Sequence, residues 1–248
     1  MQAPARAALP DERRTVAVVL CAGQGKRMAH PQNKVFLPLA GKPLLAHTLL
    51  AFDRAAEVAD VLLIAHPDEL DRCRRLVADQ GVIKVIGVSP GGATRHQSEE
   101  AALEVLRGEI EAGAIAIVLI HDGARPLVRP AEIDVLARAA QTSGGALLAT
   151  PIGREEAIAR LDDDGSVAEV LHSSDLWRAQ TPQAFDAREL LCAYDTARAD
   201  GFEGTDTAAS YERLGHVVRI VEGSSENFKV TTPDDLVRAE ALLAAPRE

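Results

Sequence analysis

Apolar residues fall into short runs of strand length separated by longer segments with helical spacing. The runs Val16–Ala22, Asp60–Ala65, Val82–Val88, Ala114–Ile120 and Ala146–Thr150 predict strands. Between them, Lys42–Arg54, Asp68–Gln80, Arg95 to about Arg107 and Pro130–Thr142 predict helices. Strands apolar on consecutive positions are buried on both faces, and helices between them make successive strands parallel, so the fold class is α/β. The alternation breaks after Pro151. Ala157–Leu161 and Ser166–Leu171 flank Asp162-Asp163-Asp164-Gly165, and the Asp-Gly pair supplies the positive φ that a tight β-hairpin turn requires. Such a hairpin either projects as an arm, whose apolar face then needs a partner, or lies flat on its own domain. The pattern leaves both open, and a homodimer is expected on the first. Helices over Ala187–Ala199 and Thr207–Gly215, a strand at Val217–Val221 and a closing helix over Pro233–Ala244 complete the chain. Pro233 suits a helix start, where its missing N–H costs nothing. The expected organisation is a disordered tail (1–14) and one domain (15–244) carrying a dimerisation arm at about 152–174.

Composition narrows the function. The 248 residues are 47% hydrophobic, and 27 basic against 37 acidic residues give a net charge of −10. That balance argues against gripping a nucleic-acid backbone, which needs a basic face, but leaves room for a nucleotide in a local basic pocket. Cys21, Cys73 and Cys192 form no CxxC pair, and their odd number suits reduced thiols rather than a disulfide framework. No apolar run approaches the ~20 residues of a membrane span, and the N-terminal segment lacks a signal-peptide core. A cytoplasmic protein with no membrane partner is expected. The histidines show no metal-ligand spacing. Trp177 and Phe185 read as core.

The densest chemistry is Leu20-Cys21-Ala22-Gly23-Gln24-Gly25-Lys26-Arg27-Met28, directly after the first strand. Two glycines two apart let the backbone turn tightly and bring its N–H groups to an anion. Lys26, Arg27 and Lys34 add positive charge, so a ligand with several phosphates fits. The turn is neither a Walker A loop, because Arg27 stands where Ser or Thr belongs, nor a dinucleotide fingerprint, because Met28 stands at the third small position. A G-x-G alone is equally a tight turn with solvated cations. The longer string adds specificity: A-G-x-G-x-R-M, then Pro31 to Lys34, then Leu37-Pro38-Leu39-Ala40-Gly41-Lys42-Pro43-Leu44.

With those residues the sequence resembles the 2-C-methyl-D-erythritol 4-phosphate cytidylyltransferase family. Further motifs match in order: Gly91-Gly92 with Arg95 and Ser98, His121-Asp122-Gly123-Ala124-Arg125-Pro126, Leu176-Trp177, Gln180-Thr181-Pro182-Gln183-Ala184-Phe185, Thr205-Asp206, and Asn227-Phe228-Lys229-Val230-Thr231. The resemblance covers about residues 15–243. It implies a Rossmann-like domain with helices on both faces of the sheet and a β-arm that locks a homodimer. It implies attack of a polyol phosphate on the α-phosphate of CTP, with magnesium (Mg2+) neutralising the triphosphate. No protein nucleophile is needed, only alignment and charge stabilisation.

By the same resemblance, Cys21, Ala22, Gly23 and Gly25 form the turn on the triphosphate, and Arg27, Lys34 and Lys229 stabilise the reacting α-phosphate. Gly91, Gly92 and Ser98 read cytosine, with a loop that caps the next helix through Thr94 or Ser98 as the plain alternative. Asp122 and Gly123 complete the nucleotide set. Asp122 also takes a ribose or polyol hydroxyl or helps hold magnesium, unless it is only a turn residue. Arg125, Thr181 and Thr205 serve the acceptor, though Thr205-Asp206 equally reads as a helix start.

Three stretches depart from the family pattern: Ala93 after Gly-Gly, Arg154-Glu155-Glu156-Ala157 at the arm entry, and His172-Ser173-Ser174-Asp175 where an arginine usually holds the acceptor phosphate. All lie toward substrate choice. Methylerythritol phosphate leads, with ribitol 5-phosphate, another polyol phosphate or a phosphonate as alternatives within the class. A non-catalytic nucleotide-binding dimer is the alternative outside it.

Overall fold

The computed structural model describes residues 13–23, 32–153, 158–171 and 176–245. Numbered along the chain, the strands are β1 (Arg14–Cys21), β2 (Pro38–Leu39), β3 (Lys42–Pro43), β4 (Asp60–Ala65), β5 (Val85–Pro90), β6 (Ile115–Asp122), β7 (Gly145–Pro151), β8 (Ile158–Leu161), β9 (Val167–Leu171), β10 (Trp177–Asp186) and β11 (Arg219–Glu222). The helices are α1 (Leu44–Arg54), α2 (Leu70–Gln80), α3 (Arg95–Glu111), α4 (Pro130–Ser143), α5 (Ala187–Asp200), α6 (Thr207–Arg213) and α7 (Pro233–Ala244).

A seven-stranded sheet has the order β11-β7-β10-β6-β1-β4-β5. Every neighbouring pair is parallel except those made by β10, which runs antiparallel to both β6 and β7. Successive side chains of a strand point to opposite faces. In β1, Ala17, Val19 and Cys21 therefore join Leu45, Leu49 and Phe52 of α1, Cys73 of α2 and Ile133 of α4. Val16 and Val18 join Leu103 and Leu106 of α3, Leu190 and Tyr194 of α5 and Tyr211 of α6. Both faces are covered, as the consecutive apolar runs require, and each fully buried Leu, Ile or Val contributes roughly 1.5–3 kcal/mol of transfer free energy. A smaller cluster of Leu39, Leu44, Ala124, Leu127, Val230 and Ala239 docks α7 beside the end of β6.

The structure corrects several boundaries. β5 starts at Val85 rather than Val82, because Asp53 Oδ1 takes the N–H groups of Ile83 and Lys84 at 2.9 Å and holds that stretch as a turn. Lys42 and Pro43 pair with Pro38 and Leu39, so α1 starts only at Leu44. α3 continues past Arg107 to Glu111, since Ile110 extends the buried stripe of Leu103 and Leu106. The larger correction is β10, a central strand that no pattern marked. Phe185, at its inner end, is core as expected, whereas Trp177, at its outer end, is 38% exposed.

The predicted hairpin is present: β8 and β9 form a two-stranded sheet apart from the main one, with Gly165 at φ +84° in the turn. Ala159 faces Val170 and Arg160 faces Glu169. A bulge then sets Leu161 against Val167. Directly opposed residues share a face. One face is therefore Ala159, Leu161, Val167 and Val170, with the last three 57–58% exposed. The other face carries an Arg160–Glu169 ion pair at 2.6 Å.

Candidate active site

The C-terminal ends of parallel strands are where open α/β sheets bind ligands. Here the ends of β1 and β6 open into a cleft of about 270 Å³. Its walls are Cys21, Ala22 and Gly23 after β1, Gly92 to Arg95 and Ser98 at the start of α3, Asp122 and Ala124 after β6, Lys34, and Lys229 with Thr231.

The glycine wall is set by close packing. A Cβ on Gly91 would lie 2.7 Å from Ala22 Cβ and 2.8 Å from Ser98 Oγ, and one on Gly92 would lie 2.4 Å from Gln97 Cβ. Only glycine allows this backbone so near the β1 turn. Ser98 Oγ accepts the Gly92 N–H at 3.2 Å and donates to Thr94 O at 2.9 Å, while Thr94 Oγ1 accepts the Gln97 N–H at 3.2 Å. Thr94 is thus the helix cap, and the Ser98 hydroxyl pins the glycine loop.

Asp122 is the electrostatic centre. Its Oδ2 lies 3.1 Å from Lys229 Nζ and 3.3 Å from Arg125 Nε, and its Oδ1 lies 3.5 Å from Arg95 Nε. Burial alone would push this carboxyl up, but Lys229, Arg95 and Arg125 outweigh burial and hold it well below the usual carboxylate range. It is ionised at neutral pH. Lys34 Nζ donates to Val230 O at 2.8 Å, and Val230 N donates to Ala124 O at 2.8 Å. The Asn227–Thr231 segment is therefore fastened to both Lys34 and the β6 end, and this brings two sequence-distant lysines to one cleft.

Behind Asp122 runs a chain of neutral donors. Asp122 N donates to Thr181 Oγ1 at 3.0 Å, and Thr181 Oγ1 lies 3.1 Å from His121 Nδ1. His121 Nε2 is 3.3 Å from Arg125 O. Burial lowers the His121 pKa to about 3, so the ring is neutral. A neutral ring has one donor and one acceptor. The carbonyl of Arg125 can only accept, which puts the proton on Nε2 and leaves Nδ1 to accept from Thr181.

A cleft with backbone amides at a glycine turn and cations gathered on one carboxylate suits a phosphorylated nucleotide. The model of the 2-C-methyl-D-erythritol 4-phosphate cytidylyltransferases matches residues 15–245. The chain belongs to that family. A cytidylyltransferase of this name from Bacillus velezensis is 42% identical over 93% of this chain and 96% of its own length. One from Geobacter metallireducens is 41% identical over 92% and 96%. Among solved structures, the Thermus thermophilus cytidylyltransferase is 31% identical with a TM-score of 0.69, covering 92% of this chain and 98% of that one. The 4-diphosphocytidyl-2C-methyl-D-erythritol synthase of Anaerococcus prevotii shares the fold, with a TM-score of 0.81 at 24% identity over 94% and 99%.

Among the residues expected for a cytidylyltransferase, the structure brings Cys21, Ala22, Gly23, Lys34, Gly92, Ser98, Asp122 and Lys229 to one cleft. Gly25 and Arg27 lie outside the described residues, as do Glu155 and Ser173 in the divergent arm stretches. The Cys21 thiol turns to Cys73 Sγ, 4.0 Å away, and that contact together with burial pushes its pKa up. Gly123 packs behind the cleft, its N–H on Leu20 O at 2.8 Å and its C=O accepting from Thr48 at 3.1 Å. Arg125 turns inward, donating to Asn227 O at 2.8 Å. Thr181 supports Asp122 from behind. Thr205 is exposed just before α6, whose cap is Asp206 accepting the Ala209 N–H at 3.0 Å. Arg95 stands in the matched Gly91-Gly92 stretch without a role of its own, and the structure places it between Glu99 and Asp122. Among the described residues no group of three or more His, Cys, Asp or Glu could hold a metal ion. Asp122 already faces three cations, so this carboxylate is poorly placed to hold a resident metal ion.

Proposed function

We propose that this chain transfers CMP from CTP to 2-C-methyl-D-erythritol 4-phosphate. An acceptor phosphate oxygen forms a bond to the α-phosphorus, the bond from the α-phosphorus to the α–β bridging oxygen breaks, and pyrophosphate leaves. The observation that carries this reading is the convergence of Lys34 and Lys229 on the glycine-walled cleft, with Asp122 ion-paired to Lys229. Charge on the transferring phosphoryl oxygens grows toward the transition state, so fixed cations there lower the barrier. Arg27 joins them on sequence grounds. Gly91, Gly92 and Ser98 present backbone and hydroxyl groups to the base, Asp122 offers a carboxylate to a hydroxyl, and Arg125 and Thr205 remain assigned to the acceptor. Magnesium enters as the counter-ion of CTP, a part of the substrate held by phosphate oxygens.

The working form in this reading is a homodimer in the cytoplasm. The apolar arm face of Leu161, Val167 and Val170 supports the dimer. Cys21 and Cys73, adjacent as unlinked thiols, suit a reducing compartment. No helix among the described residues is long and apolar enough to cross a membrane.

The test is pyrophosphate release with CTP and magnesium against methylerythritol 4-phosphate, ribitol 5-phosphate, other polyol phosphates and small phosphonates, with UTP and ATP as nucleotide controls. Release with methylerythritol phosphate and CTP is expected. Release only with another acceptor reassigns the substrate, and CTP binding without release from any acceptor marks a non-catalytic dimer.

A further inference from the structure

We propose that Glu99 is a positioning residue for nucleotidyl transfer, holding Arg95 so that Asp122 stays shared with Lys229. The inference rests on the function proposed above. Glu99 is 1% exposed, on the stretch of α3 where Ala102, Leu103 and Leu106 form an apolar stripe. A charge in such a place persists only when it is paired. Three helices supply partners. Arg95 Nη1 of α3 lies 2.9 Å from Glu99 Oε1, Thr207 Oγ1 of α6 donates to the same oxygen at 2.7 Å, and the Tyr194 hydroxyl of α5 donates to Oε2.

Arg95 has two ends with different tasks. Its Nη1 end meets Glu99 as an ion pair rather than an aligned hydrogen bond. Its Nε end faces Asp122 Oδ1 at 3.5 Å, and the side chain lines the cleft. Asp122 is divided accordingly, with Oδ1 toward Arg95 and Oδ2 toward Lys229 and Arg125. A guanidinium commonly pairs with a carboxylate as a two-pronged fork. Without the Glu99 charge, Asp122 at 3.5 Å is the nearest carboxylate left to Arg95, with Asp206 acting only through its field, so Arg95 closes on Asp122 and draws Oδ2 away from Lys229. Lys229 then loses the contact that aims it at the reacting phosphate. The glycine loop and its Ser98 pin are untouched, so CTP binding changes less than the chemical step.

The experiment compares wild type, Glu99→Gln, Arg95→Met and the double variant. kcat and KM for CTP are measured, with thermal melts to establish folding. A loss of about tenfold in kcat is expected for Glu99→Gln, the scale of one misplaced charge contact, with KM for CTP within about twofold. The double variant should match Arg95→Met alone in kcat, because Glu99 reaches the chemical step through Arg95. A folded Glu99→Gln with kcat within twofold of wild type overturns the proposal. So does a rise in KM in place of the fall in kcat, or losses that multiply in the double variant. A readout independent of turnover is the Arg95 Nε–H resonance in arginine-labelled protein. It should be protected from exchange in wild type and change in position and protection in Glu99→Gln. An unchanged signal overturns the positioning role. An inactive wild type instead fails the proposed function, and the resonance still decides the case of Glu99.

Discussion

Lys229 reaches Asp122 from a distant part of the chain, its Nζ 3.1 Å from the carboxylate Oδ2. The segment bearing Lys229 is fixed by Val230, whose side chain is fully buried and whose N–H bonds Ala124 O. Asp122 therefore aims a cation that the fold has already delivered. Asp122→Asn keeps the shape and removes the charge. We expect kcat/KM to fall about a hundredfold, ~2.7 kcal/mol of transition-state stabilisation. Arg95, Arg125 and Lys229 would also lose their common anion, so the melting temperature should fall. Steady-state pyrophosphate release and a calorimetric melt check both, and wild-type turnover would refute the assignment.

His121 predicts a pH dependence of stability. Its folded pKa of about 3 lies below the ordinary histidine value near 6.5, so between these values the unfolded chain binds the extra proton. The sign follows: stability is lost as pH falls from about 6.5 toward 3, by about 2 kcal/mol at pH 5. Glu99, raised by burial, acts in the opposite sense as its carboxyl protonates, so the comparison is with His121→Gln and not with a fixed reference. Urea midpoints at pH 7 and pH 5 should differ more for wild type than for the variant. Equal differences would exclude a buried neutral histidine.

Gly91→Ala introduces a methyl 2.7 Å from Ala22 Cβ and 3.0 Å from Ile64 Cγ2. Neither neighbour is the flexible end of a long side chain, so the loop must move off the β1 turn. Overpacking of this kind costs about 1–3 kcal/mol. CTP affinity measured by calorimetry should drop about tenfold or more, with a lower melting temperature. Unchanged affinity would remove the glycine wall from the nucleotide site.

Val170→Asp places a charge on the apolar face of the hairpin beside Leu161 and Val167. On the homodimer reading the variant should run as a monomer in light scattering at concentrations where wild type is dimeric. The main sheet is separate from the hairpin, so far-ultraviolet dichroism should be retained. A wild-type monomer, or a dimeric variant, would count against the arm as the contact.

Much of this architecture is legible in the chain because burial on both faces writes itself as consecutive apolar residues, as in Val16–Val19 and Val118–Ile120. β10 is not legible for the converse reason. Trp177–Asp186 interleaves Gln180, Thr181, Pro182 and Gln183 with few apolar residues, yet it lies mid-sheet. Its buried polar groups find partners only in the finished fold: Gln180 on Ser224 O, Thr181 on Asp122 and His121, and Gln183 on the Ala208 N–H. Its register also breaks between Ala179 and Gln183, which erases any period of two. The lysines of the cleft are legible only through motifs, since a cation's destination leaves no mark on periodicity. Glu99 is not legible as a site residue, because an i, i+4 pair with Arg95 reads first as a solvated helix face.

The antiparallel β10 also governs the order in which the sheet can be completed. β5, β4, β1 and β6 have each other as neighbours within the first half of the chain, but β7 has no place beside β6 until β10 slots between them. A nascent polypeptide released at Pro151 would hold four paired strands of the main sheet and one orphan, with the open edge of β6 as a template for another chain. Synthesis must proceed past the hairpin to Asp186 before that edge is capped. The polar Gln-Thr-Pro-Gln stretch is thus the keystone on which the C-terminal half assembles.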